Sequence, residues 1–360
     1  MKNLHIALGA VALAAAPALP LGARAAAARS TRHTARQARP HLYRVAIGVN
    51  TSLPVLTVNK FVPDRLIIHV GDSVQWTNAV PNEPQTVTFG PVENTPSLIT
   101  LADLSEIDPR VTRPQGRRVV GDVSLTVYSS GVLMGGVRGL SASYTFTFRT
   151  VGSYLYRSLF HPSSVSEIDV VAANKPASPD PIDRGSSVVS ALVSAATVLR
   201  DEASLERRGG SGGSNGVPEI EVGVGNNNVS INKFTPTGLT VKVGTQVTWM
   251  LRETSGDPHA LVFSPNNTEL QGHEPLYTGL AADGGLKINS AYTKATLASG
   301  TSVTAASIPA GSTSGILYGS AVNYPSKAPS SYTLTFQAPG QYYYADPFYP
   351  DMLGQINVVQ

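Results

Sequence analysis

The chain has 360 residues, of which 42% are hydrophobic and 14% are charged, and its formal net charge is +3. This length and balance suit two well-packed domains. The sequence contains no cysteine, which excludes disulfide bonds, thiol catalysis, iron–sulfur clusters and a lipid attached to an N-terminal cysteine.

The N-terminus has the three parts of a secretory signal peptide. Lys2 precedes an apolar run over residues 6–21, and the small-residue segment Ala23-Arg24-Ala25 follows as a cleavage site. A membrane helix is the alternative, but the run is short and two prolines interrupt it. We therefore predict a signal peptide over residues 1–25 and a mature protein that is secreted, periplasmic or at the cell surface, with no transmembrane segment.

Residues 26–41 form a basic arm ahead of the first predicted strand. This arm carries four arginines, Arg29, Arg32, Arg36 and Arg39. Such an arm could contact an anionic envelope surface or nucleic acid. Because no aromatic side chains are interleaved with the arginines, we interpret it as a disordered leader and expect no nucleic-acid partner.

One segment of the chain occurs twice, and this repeat determines the predicted architecture. VNKFVPDRLIIHVGDSVQW (Val58–Trp76) aligns without a gap on INKFTPTGLTVKVGTQVTW (Ile231–Trp249). Apolar residues alternate in each copy up to a Val-Gly pair that is typical of a tight turn. Each copy therefore predicts a β-hairpin with one buried face, which in the first copy includes Leu66, Ile68 and Val70.

Three further matches follow in the same order. They are PQTVTF over PHALVF (84–89 and 258–263), SGVL over SGIL (130–133 and 314–317), and SYTFTFRTVGSYLY over SYTLTFQAPGQYYY (143–156 and 331–344). The last match predicts two strands that meet at a glycine, Gly152 or Gly340. Short strands, turn signals and no helical period within either copy predict an all-β chain of two tandem Greek-key β-sandwiches.

Residues 173–216 form a linker between the two copies. It begins with a stretch rich in proline, aspartate and serine and ends in GGSGGSNG, which is flexible by composition. Between these, residues 186–208 predict one amphipathic helix. Its expected apolar side comprises Val188, Val189, Leu192, Ala195, Ala196 and Leu199. We expect a sandwich face or a partner to cover this side.

The second copy ends in GQYYYADPFYPDMLGQINV, residues 340–358. Its pattern predicts a strand, a loop over residues 346–354, and a closing strand. Together with the other repeated motifs, this stretch resembles the cupredoxins, the plastocyanin and azurin family of blue copper proteins, whose usual C-terminal pattern is YxYxCxxHPxxMxGxIxV. This chain has one residue fewer than that pattern between Pro350 and Met352. The resemblance implies a cupredoxin-like domain at residues 42–172 and another at residues 217–360.

The resemblance also identifies the positions of the copper ligands, which in this family are a histidine, a cysteine, a second histidine and an axial methionine. In that order the second copy has His259, Asp346, Tyr349 and Met352. The first copy has Gln85, Ser158, His161 and Ser164. Because neither copy keeps the cysteine, we expect no blue copper centre in either domain.

A residual metal site in the second domain is an alternative to complete loss. His259, Asp346 and Met352 could hold a weak type 2 copper ion or zinc, because a carboxylate is a harder donor than a thiolate. A filled, hydrogen-bonded polar cluster is the other interpretation. We favour that interpretation and expect no cofactor; His161, alone in its set, is interpreted as a hydrogen-bonded loop histidine.

Two features suggest where a partner would contact the chain. Each copy carries a long insertion, residues 93–128 and 266–313, which the family's topology places near the ligand loops. In the second copy, Phe348 and Tyr349 either form an aromatic contact patch or fill the core. The expected partner is a protein or glycan of the envelope or extracellular space.

Catalysis is not expected. Multicopper oxidases also use cupredoxin domains, but their copper clusters draw on HxH pairs, and the seven histidines here include none at that spacing. HExxH and phosphate-loop motifs are also missing. The preferred hypothesis is an exported, non-enzymatic binding or structural module; the alternatives are copper binding or handling through the second domain, and electron transfer as in the family.

Overall fold

The structure is a computed structural model. It describes residues 39–49, 55–80, 83–98, 105–116, 119–120, 126–161, 163–179, 185–209, 216–226, 228–252, 257–264, 270, 275–319, 329–349 and 351–360. Residues from Pro40 onward form one compact unit. The predicted signal peptide and most of the basic arm lie outside the described residues, so export stays a prediction.

The first half of the chain forms a β-sandwich. The strands of this half are β1 (Leu42–Ile47), β2 (Leu56–Val58), β3 (Phe61–Val62), β4 (Arg65–His69), β5 (Ser73–Asn78), β6 (Thr88–Phe89), β7 (Glu106–Ile107), β8 (Val119–Val120), β9 (Tyr128–Ser129), β10 (Ser143–Phe148), β11 (Gly152–Arg157) and β12 (Val165–Val171), of which β2 and β7 belong to other sheets. Two five-stranded sheets, β3-β1-β5-β10-β8 and β4-β12-β11-β6-β9, enclose one hydrophobic core. A 3-10 turn (Val92–Asn94) and a short helix, α1 (Pro109–Thr112), lie in the insertion.

The second half forms a second sandwich. Its strands are β13 (Glu219–Asn226), β14 (Val229–Thr235), β15 (Gly238–Lys242), β16 (Gln246–Met250), β17 (His259–Ser264), β18 (Tyr277–Leu280), β19 (Leu286–Ile288), β20 (Thr301–Val303), β21 (Ser312–Leu317), β22 (Ser331–Phe336), β23 (Gly340–Ala345) and β24 (Leu353–Val359). A six-stranded sheet, β2-β14-β13-β16-β22-β20, and a five-stranded sheet, β15-β24-β23-β17-β21, share a core. The predicted class of two tandem β-sandwiches is confirmed.

Each core is built around the tryptophan that ends the repeated segment. Trp76 packs edge-to-face on Tyr156 with ring centroids 5.4 Å apart, and Trp249 packs on Tyr344 in the same way at 5.2 Å. All four side chains are fully buried. Edge-to-face packing adds to the stabilisation from burial alone, so the repeat encodes the same core twice.

The predicted hairpins are wrong. Strand β4 pairs with β12 in one sheet, whereas β5 pairs with β1 and β10 in the other. The turn at Gly71, whose φ of +97° suits glycine, therefore carries the chain across the core. Strands β15 and β16 repeat this crossing. A hairpin and a crossing between facing sheets give the same alternation, because in both cases every second strand side chain points into one core. Val70, expected on the buried face, lies in the turn after β4 and is exposed.

Strand β2 leaves the first sandwich and extends a sheet of the second. It pairs antiparallel with β14, with Val58 opposite Val229 and Leu56 opposite Ile231. The linker helix α2 (Gly185–Arg208) covers this seam. The Lys233 ammonium of β14 lies 2.8 Å from the Glu202 carboxylate of α2. The helix thus packs on a sandwich face, as expected.

The buried side of α2 differs from the predicted one. Its buried apolar residues are Ala191, Ala195 and Val198, whereas Val189, Leu192 and Leu199 are exposed. The small Ala191 and Ala195 side chains and Val198 pack against β2 and β14, whereas larger side chains such as Leu192 point outward. Neither helix in the described part of the chain is long and apolar enough to cross a membrane.

This packing predicts a strong contrast between two identical substitutions on one helix. Ala191→Asp places a carboxylate in a fully buried position, whereas Ala196→Asp places it on the exposed side of α2. We expect Ala191→Asp to lower the free energy of unfolding by about 3 kcal/mol or more and Ala196→Asp by less than about 1 kcal/mol. Urea denaturation measures both, and equal effects would contradict the observed helix face.

Candidate functional site

In the second sandwich, the histidine and the carboxylate that the cupredoxin resemblance assigns to copper-ligand positions contact each other directly. His259 begins β17 and Asp346 directly follows β23. The His259 Nδ1 atom lies 2.8 Å from Asp346 Oδ2, and neither side chain is exposed to solvent. The structure therefore brings together two of the three residues predicted for a residual metal site.

Both oxygens of the Asp346 carboxylate accept hydrogen bonds. Besides its contact with His259, Oδ2 accepts from the Ala260 amide at 3.3 Å, and Oδ1 accepts from the Phe348 amide at 2.8 Å. Burial raises the pKa of Asp346 above its ordinary value, although the hydrogen bonds and the His259 charge act in the opposite direction. The carboxylate is thus held by the protein itself.

Met352 and Tyr349 complete this loop. The Asp346 amide donates to the Met352 carbonyl at 2.9 Å, which closes the turn between β23 and β24. The Met352 side chain is fully buried in the core of the second sandwich. The Tyr349 ring lies against the His259 ring, with centroids 4.9 Å apart. An aromatic ring therefore occupies the place at which the family has its second histidine.

The corresponding loops of the first sandwich are also closed by hydrogen bonds. The buried Gln85 amide donates to Asn59 Oδ1 at 2.8 Å. Ser158 Oγ accepts from the Thr86 amide at 3.3 Å, and the Ser164 amide donates to the His161 carbonyl at 2.8 Å. These four positions offer one imidazole and no sulfur, so they do not fit blue copper.

His161 lies beside the second sandwich. Its Nδ1 atom is 4.0 Å from Asp257 Oδ1, and the ligand atoms of Glu83, His161 and Asp257 all lie within 4.8 Å of one another. All three residues are buried. The sequence predicted a hydrogen-bonded loop histidine at His161 but did not identify Glu83 and Asp257 as its acidic neighbours. A signal was available, because Glu83 and Asp257 each stand two residues before the first-histidine position.

In each sandwich, one end carries the loops with the positions that the cupredoxin resemblance assigns to copper ligands. These two ends, called the ligand-loop ends, face each other. Strand β7 from the first insertion pairs with β19 from the second, and these strands form a three-stranded sheet with β18. The Leu286 amide donates to Thr112 Oγ1 across this join at 3.1 Å. A hydrophobic cluster at the join combines side chains of both halves, including Ile107, Leu159 and Tyr318.

This join changes the interpretation of the predicted contact surface. The described parts of the two insertions contact each other, which the sequence analysis did not anticipate. Phe348 packs edge-to-face on Tyr292 at 5.5 Å within the cluster at the join. Tyr349 is partly buried against the core of the second sandwich. Of the two interpretations of these aromatic residues, core filling agrees with the structure.

Comparisons with known proteins add resemblance of fold only. No family model matches the chain, and no curated protein matches its sequence. A solved structure of a copper(I) amicyanin variant is 18% identical over 36% of this chain and 82% of that chain, with a TM-score of 0.22. A purple cupredoxin from Nitrosopumilus maritimus is 19% identical over 36% of this chain and 99% of that chain, with a TM-score of 0.21. At these scores the fold assignment rests on the sheets described above.

The burial of Tyr277 where the two sandwiches meet predicts that the stability of the protein depends on pH. Burial raises the pKa of Tyr277 well above its ordinary value, and the nearby Glu83 and Asp257 carboxylates raise it further. Below about pH 10 the phenol is protonated in both the folded and the unfolded chain. Above that pH only the unfolded chain loses the proton, so stability should fall as the pH rises.

Urea unfolding between pH 8 and pH 11 measures this loss. Tyr277→Phe removes the group, so its free energy of unfolding should fall less steeply above pH 10, by up to about 1.4 kcal/mol per pH unit. An unchanged slope in this variant would show that Tyr277 titrates normally in the folded chain.

Proposed function

We propose that this chain is a non-enzymatic, two-domain cupredoxin-like protein that has lost type 1 copper and serves as a structural or binding module. One observation carries the proposal: a buried His259–Asp346 pair, with 2.8 Å between His259 Nδ1 and Asp346 Oδ2, stands at the former ligand positions. Protein groups satisfy both carboxylate oxygens of Asp346, so this carboxylate needs no ion to complete its hydrogen bonds.

Electron transfer is disfavoured by the same residues. A blue copper site depends on the cysteine thiolate, and an oxygen donor stands in its place in both sandwiches. The burial of the ligand-loop ends is a second reason against electron transfer. Because they are buried against each other, an approaching redox partner would reach neither set of positions directly. We therefore assign the sandwich pair a structural role, with its partner-binding surface elsewhere.

Export to the envelope or extracellular space is part of the proposal. Its support is the signal-like composition of residues 1–25. We also propose the domain boundaries 42–172 and 217–360. The partner class is a protein or glycan of that compartment.

Copper binding through the second sandwich is the remaining alternative. Its support is that His259 and Asp346 already lie within contact distance. A bound copper(II) or zinc ion would have to compete with their hydrogen bond and with the two backbone amides on Asp346. The site would then be a weak type 2 site.

Rebuilding the ligand set tests the proposal directly. We expect the mature wild-type chain to develop no intense blue absorption when copper(II) is added. The double variant Asp346→Cys with Tyr349→His should develop it, because cysteine and histidine would then join His259 and Met352 in the family's order. Visible absorption and electron paramagnetic resonance spectra measure both samples.

Ser158→Cys is the matched control, since it restores one sulfur in the first sandwich while Gln85 and Ser164 remain. It should stay colourless. Blue colour in the wild-type chain would overturn the proposed loss of type 1 copper. A folded double variant that binds copper without blue colour would contradict the inherited ligand loop.

A further inference from the structure

Three potential metal ligands converge where the two sandwiches meet. Glu83 and His161 belong to the first sandwich and Asp257 to the second. Their ligand atoms lie within 4.8 Å of one another. Only 7%, 2% and 1% of their respective surfaces are exposed. The three side chains are thus buried together, although two are acidic.

Hydrogen bonds hold the backbone at Glu83 and His161 and the side chain of Asp257. Asn78 Nδ2 donates to the Glu83 carbonyl at 2.7 Å, and the His161 carbonyl accepts from the Ser164 amide at 2.8 Å. The Ser230 hydroxyl donates to Asp257 Oδ2. Glu83 and Asp257 also occupy equivalent places in the repeat, each directly before a proline. Because the two sandwiches face each other, the acidic residues at these equivalent positions of the repeat lie close together.

The charges of this set favour a divalent cation. Two carboxylates carry two negative charges, and a protonated His161 would balance only one of them. A neutral imidazole with two carboxylates and one divalent ion has no net charge, which reduces the cost of burying the group. Metal binding would also require the imidazole to be neutral.

We propose that Glu83, His161 and Asp257 bind one divalent cation of the zinc class and that this ion links the two sandwiches. One nitrogen and two oxygen ligands suit zinc, which accepts three protein ligands and leaves a fourth position for water. Zinc–ligand distances of about 2.0–2.2 Å place neighbouring ligand atoms about 3.4 Å apart in a tetrahedron. A small inward movement of the side chains brings the observed set to that spacing.

This inference goes beyond the proposed function and can fail independently of it. The ligand positions that the cupredoxin resemblance assigns lie within one sandwich each, whereas this set spans both and includes two residues outside those positions. Because its ligands come from both halves, the ion would stabilise the join. Its removal should weaken the contact between the sandwiches as well as the local loops.

The first experiment measures zinc binding by the whole mature chain. Protein stripped with EDTA and dialysed should bind one equivalent of Zn²⁺ in isothermal titration calorimetry, with micromolar or tighter affinity. At a free zinc concentration of 100 times the dissociation constant, Tm should rise by about 5 °C. No binding at zinc concentrations up to about 100 µM would overturn the inference.

Matched variants then locate the ion. Asp257→Asn should weaken zinc binding by about 100-fold or more, whereas Asp346→Asn, the same change at another buried aspartate beside a histidine, should leave it unchanged. Loss of zinc in Asp346→Asn alone would place the ion at the former copper position and refute the site at the join.

A second variant and a spectroscopic readout guard against misfolding. If Asp257→Asn does not fold, Glu83→Gln tests the same site from the first sandwich, with circular dichroism as the check on folding. Cobalt(II) should give visible d–d absorption in the wild-type chain, and His161→Gln should remove its imidazole contribution. A cobalt spectrum that is unchanged in His161→Gln would contradict the assigned ligand.

Discussion

The packing of the two sandwiches against each other depends on polar side chains that are buried away from water where the sandwiches meet. Buried carboxylates are costly unless charges or hydrogen bonds compensate them. In the second sandwich the compensation for Asp346 comes from His259 and from two backbone amides. At the join, Asp257 accepts a hydrogen bond from Ser230 and lies near His161 of the other half. The facing of the two ligand-loop ends encloses both groups, so the relative position of the sandwiches and the chemistry of their loops are linked.

Several elements reinforce that relative position. Strand β2 adds an edge from the first half to a sheet of the second, and α2 seals this seam with small side chains. The two insertions pair through β7 and β19. The residues that make these contacts lie far apart in the sequence, but all of the contacts hold the same two sandwiches together. Contacts at several places restrict hinge motion more than one linker would, which agrees with the structural role that we propose.

The sequence predicted the strands and the helix, because these depend on local alternation and on residue type. It failed where two arrangements share one local pattern. Leu66 and Ile68 are buried whether β4 and β5 form a hairpin or lie in facing sheets. Only the long-range pairing of these strands distinguishes the two arrangements. The buried side of α2 was missed because alanine packing depends on the width of the seam. The cluster of Glu83, His161 and Asp257 depends on how the repeats face each other, which a comparison of their sequences does not contain.

The central claim is that the two sandwiches form one body through their ligand-loop ends, and amide hydrogen exchange measured by NMR tests it most directly. The Leu286 and Ile288 amides donate to Thr112 and Ser105 of the other half. If the join is as stable as the sandwiches, these amides should exchange as slowly as those of the central strand β16, with protection lost only on global unfolding. Rapid exchange at Leu286 and Ile288 while β16 stays protected would show that the halves open separately, and would contradict the account.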